Sequence, residues 1–287
     1  MEIFWHPNPL IDSIFRIPTN EYSEGFILNL IGSPTIHEYI ILNDRCTTVT
    51  FRIDEHIYTF NGTIVCGKFT QVPKIEVKFN KRCEYVTVIR INPCGMFALT
   101  DESVASLVNR VVSDSVIKVT EEVKQDIHTY IDALDQLMDS LSCHPHHTLM
   151  RQIIRYVNAN FAELPRTAGK TVAEEFAISE STLRRYFKKY VGITLSNYMI
   201  TIKRKKMIQA IYEDNYDSLT VQENGYYDQS HFINDFKRLF GFPLKQYYSG
   251  LQELKNQAPE LIEFLSYCNN IESDYTGEKR CYPKRSR

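Results

Sequence analysis

The stretch Ser181-Thr182-Leu183-Arg184-Arg185-Tyr186-Phe187-Lys188-Lys189-Tyr190-Val191-Gly192 returns 49 residues later as Ser230-His231-Phe232-Ile233-Asn234-Asp235-Phe236-Lys237-Arg238-Leu239-Phe240-Gly241. The serine, the phenylalanine, the basic pair and the glycine keep their spacing, and Tyr198 is answered by Tyr247. In the first copy Leu183, Tyr186, Phe187 and Tyr190 fall at i, i+3, i+4, i+7, the spacing of a buried helix face. Ser181, Arg184, Arg185 and Lys188 hold the same spacing on the opposite face, which carries three cations and no anion. In the second copy Phe232, Phe236 and Leu239 make the inner face, and Ser230, Ile233, Asn234 and Lys237 the outer one. An exposed Ile suits a thymine methyl and an Asn suits an adenine edge. Two tandem helical units with matched polar stripes predict a clamp on successive turns of duplex DNA.

The residues before each copy extend the pattern to a helix-turn-helix. Ala173 to Ser179 reads as a helix with a small residue for close packing, a turn at Ala177-Ile178, and Ser179 as the N-cap of the next helix. Val221 to Asp228 is the second version, with Gly225 at a positive-φ turn position and Asp228 as the cap; this turn is one residue longer. Between the units, Thr194 to Asp214 reads as one long helix capped by Thr194. It carries the basic run Lys203-Arg204-Lys205-Lys206, read here as a source of phosphate contacts.

On the strings Ala173-x-x-Phe176, Ser179-x-Ser181-x-Leu183-x-Arg185-x-Phe187-Lys188-Lys189-x-x-Gly192 and Gly225-Tyr226-x-Asp228-Gln229-Ser230-x-Phe232, continued by Phe236-Lys237-Arg238-x-x-Gly241-x-Pro243 and Tyr247, residues from about 147 to 250 resemble the C-terminal DNA-binding domain of the AraC/XylS family of bacterial transcription regulators. The resemblance implies two helix-turn-helix units joined by a long helix. It also implies that Ser181, Arg184, Arg185, Gln229, Ser230, Ile233 and Asn234 face base edges. Phosphate contacts are expected from Ser179, Thr182, Lys188, Lys189, Lys203, His231, Lys237 and Arg238. Three departures stand out: Ala177 replaces the usual turn glycine, Val221 a small Ala, and Asn234 a frequent Arg.

Charge is distributed to match. The whole chain of 287 residues has a net charge of −2, but residues 147–250 hold 15 Lys and Arg against 10 Asp and Glu, whereas residues 1–146 hold 12 against 19. Residues 251–287 are balanced. A basic module joined to an acidic one fits a DNA reader attached to a domain that does not touch DNA.

The first 118 residues read as short strands with turns near Asn43-Asp44, Asn61-Gly62, Asn80-Lys81 and Asn92-Pro93, the pattern of an antiparallel barrel or sandwich. A brief helix is expected near Asp101–Val111. The strings Cys46-Thr47, Gly67-Lys68-Phe69-Thr70 and Arg90-Ile91-Asn92-Pro93-Cys94-Gly95 resemble the cupin-like sensor domain of one group of these regulators. The expected class is therefore α+β in two domains. Residues 1–118 form a sensor, 119–146 a connecting helix and linker, 147–250 the DNA-binding domain, and 251–287 a short helix with a basic, disordered tail.

Enzymatic cupins hold a metal, and His37-Glu38 and His56 are the inner candidates here; without a His-x-His they read as surface residues. His144-Pro145-His146-His147 reads as a linker turn, and no metal or cofactor is expected. Aromatics such as Phe51, Tyr58, Phe60, Phe69 and Tyr85 read as core, with a ligand pocket the other reading. Seven scattered cysteines without a Cys-x-x-Cys fit a reducing, cytoplasmic setting; Cys66 and Cys94 read as core.

Val123, Ile127, Tyr130, Leu134, Leu137 and Leu141 step by 4, 3, 4, 3, 4. That is a seam either for packing on the barrel or for pairing with a second chain, and it makes a homodimer the expectation. The expected partners are double-stranded promoter or operator DNA, a small-molecule effector of unstated chemistry, RNA polymerase and a second copy of the chain, with no membrane partner. Two readings from other classes stand beside this one: a DNA-repair alkyltransferase-type enzyme with a helical DNA-binding domain, and an interaction module whose basic faces bind an acidic protein.

Overall fold

The computed structural model describes residues 2–4, 6–18, 35–42, 48–53, 56–61, 63–70, 75–79, 85–100, 103–119, 127–142, 144–165, 167–214 and 217–257, with positions 259, 262, 265 and 266. The first part is antiparallel β. Strands β1 (Glu2–Phe4), β2 (Ile11–Pro18), β3 (Glu38–Leu42), β4 (Thr48–Ile53), β5 (His56–Asn61), β6 (Ile64–Cys66), β7 (Ile75–Phe79), β8 (Tyr85–Ile91) and β9 (Val111–Ser113) form two sheets. One has six strands in the order β1-β2-β8-β3-β6-β9; the other has three, in the order β5-β4-β7.

The larger sheet is buried on both faces, so its strands are rich in Ile and Val on either side, and the buried charged residues among them, Asp12, Glu38 and Arg90, are paired. Because side chains alternate along a strand, Phe15, Ile17, Tyr39, Ile41, Ile64, Cys66, Val86 and Val88 enter one cluster. Ile14, Ile40, Val65 and Ile89 enter another on the far side. Two short helices follow, α1 (Met96–Leu99) and α2 (Val104–Leu107). The single helix expected near Asp101–Val111 is thus only its middle turn, capped by Ser103.

Helix α3 (Ile127–Ser142) covers the second face of the large sheet. Its Tyr130, Leu134 and Met138 are fully buried among Leu10, Ile14, Ile40, Ile89 and Met96. This corrects the pairing reading for Tyr130 and Leu134: the seam closes on the chain's own sheet, so neither residue is available to a second copy. Leu137 is half-buried against the same cluster. Val123 and the side chains of Ile127 and Leu141 lie outside the described residues.

The helical part follows as α4 (Pro145–Ala159), α5 (Ala168–Glu175), α6 (Glu180–Tyr186) continued by one π-turn over Phe187–Val191, α7 (Leu195–Tyr212), α8 (Ser218–Glu223), α9 (Gln229–Phe240) and α10 (Leu244–Gln257). The histidine run expected in a linker turn instead opens α4, with Pro145 in its first turn. Helix α10 extends past 250, and the basic end at 279–287 lies outside the described residues.

Helix α7 spans about 27 Å at the standard rise and organises this part. Its first half, Leu195, Tyr198 and Ile202, sits in a core with α4, α5 and α6. Its second half, Met207, Ile208, Ile211 and Tyr212, sits in a core with α8, α9 and α10. A helix buried at both ends on different faces needs apolar residues all round, which is why it shows little amphipathicity.

Candidate nucleic-acid interface

Both turn-and-helix units are built by local capping. Ser179 Oγ accepts from the Thr182 amide at 3.0 Å, and Asp228 Oδ1 accepts from the His231 amide at 2.7 Å. Thr194 caps α7 in the same way through the Asn197 amide. Each bond satisfies a donor that the first helical turn leaves free. The turns before α6 and α9 need a left-handed residue, supplied by Ala177 at φ 51° in one and Gly225 at φ 80° in the other. Gly192 and Gly241, at φ 84° and 78°, end the two helices.

Helices α6 and α9 bury the predicted inner faces: Leu183, Tyr186, Phe187 and Tyr190 in one, Phe232, Phe236 and Leu239 in the other. The outer residues all lie in solvent: Ser181, Arg184 and Arg185 on α6, and Gln229, Ser230, Ile233 and Asn234 on α9, with Ile233 44% exposed. Lys188, Lys189, Lys237 and Arg238 are exposed as well. Among them Lys189 leans over the Phe97 and Tyr190 rings at 5.4 and 5.2 Å. Arg238 reaches back to Asp235 on its own helix. Ser179 and Thr182 are tied to each other by their hydroxyls at 2.9 Å. The His231 ring packs on Tyr226 with centroids 5.3 Å apart.

The basic run of α7 departs from its expected role. Lys203, read as a phosphate contact, instead donates to the Gly225 carbonyl at 2.8 Å and lies 3.6 Å from the centre of the Tyr226 ring. It ties the second turn to the long helix. Arg204 pairs with Asp235, and Lys205 is fully buried with its ammonium 3.4 Å from His37 Nδ1. Lys206 lies over Phe161. A helix that serves two cores has few outward positions, so its cations turn onto the protein.

Asp235 was missed by reading the sequence, although a signal existed. It occupies the position of Tyr186 in the echo, an acid where the inner stripe calls for an apolar residue. Its carboxylate accepts from Arg204 Nε and Nη2 at 3.3 and 3.1 Å and from the Tyr226 hydroxyl at 3.0 Å. Burial alone would raise its pKa, but the hydrogen bonds from Arg204 and Arg238 outweigh that and hold it at about 2.

The two parts of the chain are joined by specific contacts. The His147 ring, fully buried, donates from Nε2 to the Cys94 carbonyl at 3.2 Å. Phe97 packs edge-on against Tyr190 at 4.7 Å, and a side chain at Gly192 would meet the Val104 carbonyl at 3.0 Å. Further along, His37, expected at the surface, is fully buried, and burial followed by the charge of Lys205 lowers its pKa well below the usual imidazole value. Beside it run two buried ion pairs, Glu38 with Lys68 and Asp12 with Arg90. Paired charges of this kind can remain in an interior that an isolated charge could not enter. Among the described residues no three His, Cys, Asp or Glu side chains gather as metal ligands.

Comparison with known proteins bears on this geometry. Residues 172–249 match the family model described as a helix-turn-helix domain, over both units and the helix between them. The chain carries a helix-turn-helix domain there. No curated protein matches the chain. Among solved structures, ToxT from Vibrio cholerae in its P21 form is 13% identical with a TM-score of 0.42, over 82% of this chain and 96% of that one. ToxT from Vibrio cholerae O395 bound to (E)-4-(8-methylnaphthalen-1-yl)but-3-enoic acid is 12% identical with a TM-score of 0.41, over 83% and 97%. The AraC-like transcriptional activator CuxR is 14% identical with a TM-score of 0.25, over 74% and 77%. Within the matched domain the outer faces of α6 and α9 are exposed to solvent.

Proposed function

We propose that the chain is a cytoplasmic, sequence-specific DNA-binding transcription regulator whose β-sheet domain governs how its two helix-turn-helix units meet promoter DNA. One observation carries this reading: the outer faces of α6 and α9 are solvent-exposed through all seven residues expected at base edges, while the inner faces are packed. Arg184 and Arg185 suit guanine edges, and Gln229 and Asn234 suit adenine edges. Lys188 and Lys237 supply sequence-independent attraction to phosphates.

Effector control is the finer part of the proposal. A small molecule or protein bound to the sheet domain would act through the contacts at Cys94, Phe97, Val104 and His37, which touch the first unit and α7. Dimerisation, if part of the mechanism, needs surfaces other than Tyr130 and Leu134.

The alkyltransferase alternative needs an activated thiolate. Among the described cysteines, burial pushes the Cys94 thiol up to about 12 and the Cys66 thiol higher still, the opposite of what that chemistry requires. The test is selection of genomic fragments by the purified chain, followed by gel shifts across a salt series. Recovery of one sequence motif with a steep salt dependence is expected. Binding that is equal for all fragments would overturn the regulator reading in favour of an acidic partner.

A further inference from the structure

We propose that Arg204 is the positioning residue through which the β-sheet domain sets the attitude of α9, the second reading helix; this rests on the DNA-reading function above. Its guanidinium takes three acceptors from two separate parts of the fold. Nε and Nη2 hold the Asp235 carboxylate, and Nη1 donates to the Thr70 carbonyl at 3.3 Å. Only a planar fork can do this: two parallel donors grip a carboxylate while a third remains for another acceptor. The side chains of Arg204 and Asp235 are 15% and 10% exposed, so water screens the pair weakly.

Asp235 points inward from α9 between the outward Asn234 and the buried Phe236. Holding its carboxylate therefore holds the rotation of the helix about its axis, and with it the aim of Ile233 and Asn234. Arg238 also binds Asp235, but from the same helix, so it cannot orient α9 against anything else. Arg204 stands on α7 and can.

At its other end the tie meets a fixed point. Thr70 closes the loop after β6, and its amide donates to Asn109 Oδ1 at 2.7 Å while Asn109 Nδ2 donates to Thr70 Oγ1 at 3.1 Å. The Asn109 amide donates to the Lys68 carbonyl at 2.8 Å, and Gly67 lies so close to Leu107 that a side chain there would stand 1.9 Å from its carbonyl oxygen. Lys68, in the same loop, is paired with Glu38 of β3. A shift of the sheet at β3 or β6 is thus passed to Thr70, to Arg204 and to α9. The first reading helix meets the sheet domain differently: Tyr186, at the place of Asp235, bonds to His146 within the helical part at 2.8 Å, and contact with the sheet domain is made further on, by Tyr190 against Phe97.

The experiment uses the full chain and the DNA motif recovered by the selection above, with base changes made separately in each half-site. Arg204→Lys keeps the charge and removes the fork. Asn109→Gly removes the clamp on Thr70 at a position whose φ of 60° suits glycine, outside both reading helices. Each variant is expected to weaken binding about tenfold and to erase discrimination at the second half-site, with discrimination at the first half-site unchanged. Wild-type discrimination at the second half-site in both variants would overturn the proposal, and so would parallel loss at both half-sites, which a merely structural role gives. Loss in Arg204→Lys but not in Asn109→Gly would confine Arg204 to the helical part and overturn its link to the sheet domain. A wild-type chain that recovers no motif overturns the DNA-reading function itself.

Discussion

The two helix-turn-helix units share a scaffold and use their charges in opposite ways. In the first, Arg184, Arg185, Lys188 and Lys189 all reach solvent, and the inner face is purely aromatic and aliphatic. In the second, Arg238 is drawn to Asp235 on its own helix, and the neighbouring cations of α7, Lys203 and Arg204, are turned onto Gly225 and Asp235. Lys237 is exposed beside Ile233 and Asn234, and Arg238 also remains exposed despite its pair. One acid at an inner-face position accounts for Arg204 and Arg238, whereas Lys203 turns onto a backbone carbonyl and the Tyr226 ring. On the proposed function, the first unit would supply electrostatic grip and guanine contacts, and the second would read shape and the weaker polar and apolar edges of A·T pairs.

The sharpest way to break that contrast is to remove the reading residues one at a time. Arg185→Ala is expected to cost about 1–3 kcal/mol on the selected motif and to relax one base position in the first half-site, read by competition with base-substituted duplexes. Asn234→Ala should relax a position in the second half-site at the lower end of that range. If Arg185→Ala leaves both footprint and salt dependence as they were, the first unit does not read DNA.

Next in size is the acid itself. The Asp235 carboxyl is held below its ordinary 3.8, at about 2, so its contribution is complete above about pH 4 and is lost as pH falls toward 2. Asp235→Asn should therefore lower stability by about 2 kcal/mol near neutrality, with the gap to wild type closing over that acid window in urea melts. A gap that does not change with pH would mean the ion pair is not what holds the second unit.

Ala177→Gly comes third. Ala177 occupies the left-handed region where the second unit has Gly225, and relieving that strain should stabilise the chain by about 1 kcal/mol, a gain of a few degrees in Tm. The smallest effect separates free cations from engaged ones. Lys188→Ala should weaken all DNA alike and reduce the salt slope by about one, whereas Lys203→Ala should leave the slope unchanged and lower Tm.

Much of this was legible in the chain. The echo at 49-residue spacing, the caps Ser179, Thr194 and Asp228 and the stops Gly192 and Gly241 are local features, set by hydrogen bonds and φ angles within a turn or two. The outward residues of α6 and α9 could be counted off because helical periodicity is local as well. The short strands were legible from the turn residues between them.

Periodicity shows that a face is buried but not what covers it. The stripe through Tyr130 and Leu134 fits a partner chain as well as a sheet, and only the fold shows it closed on β2, β3 and β8. The basic run of α7 looks like a solvated or phosphate-binding strip until two separate cores and a loop of the other domain surround it. His37, Glu38, Lys68 and Arg90 lie far from Lys205 in the chain, and nothing local says that they will meet.

Short-range order, then, was written in the residues themselves: where helices start, where they stop, and which side of each faces water. Which cation faces solvent and which is spent inside depended on contacts between residues as distant as Thr70, Arg204 and Asp235. A charge takes its role from the partner that desolvates it, and that partner is chosen by packing rather than by neighbours along the chain.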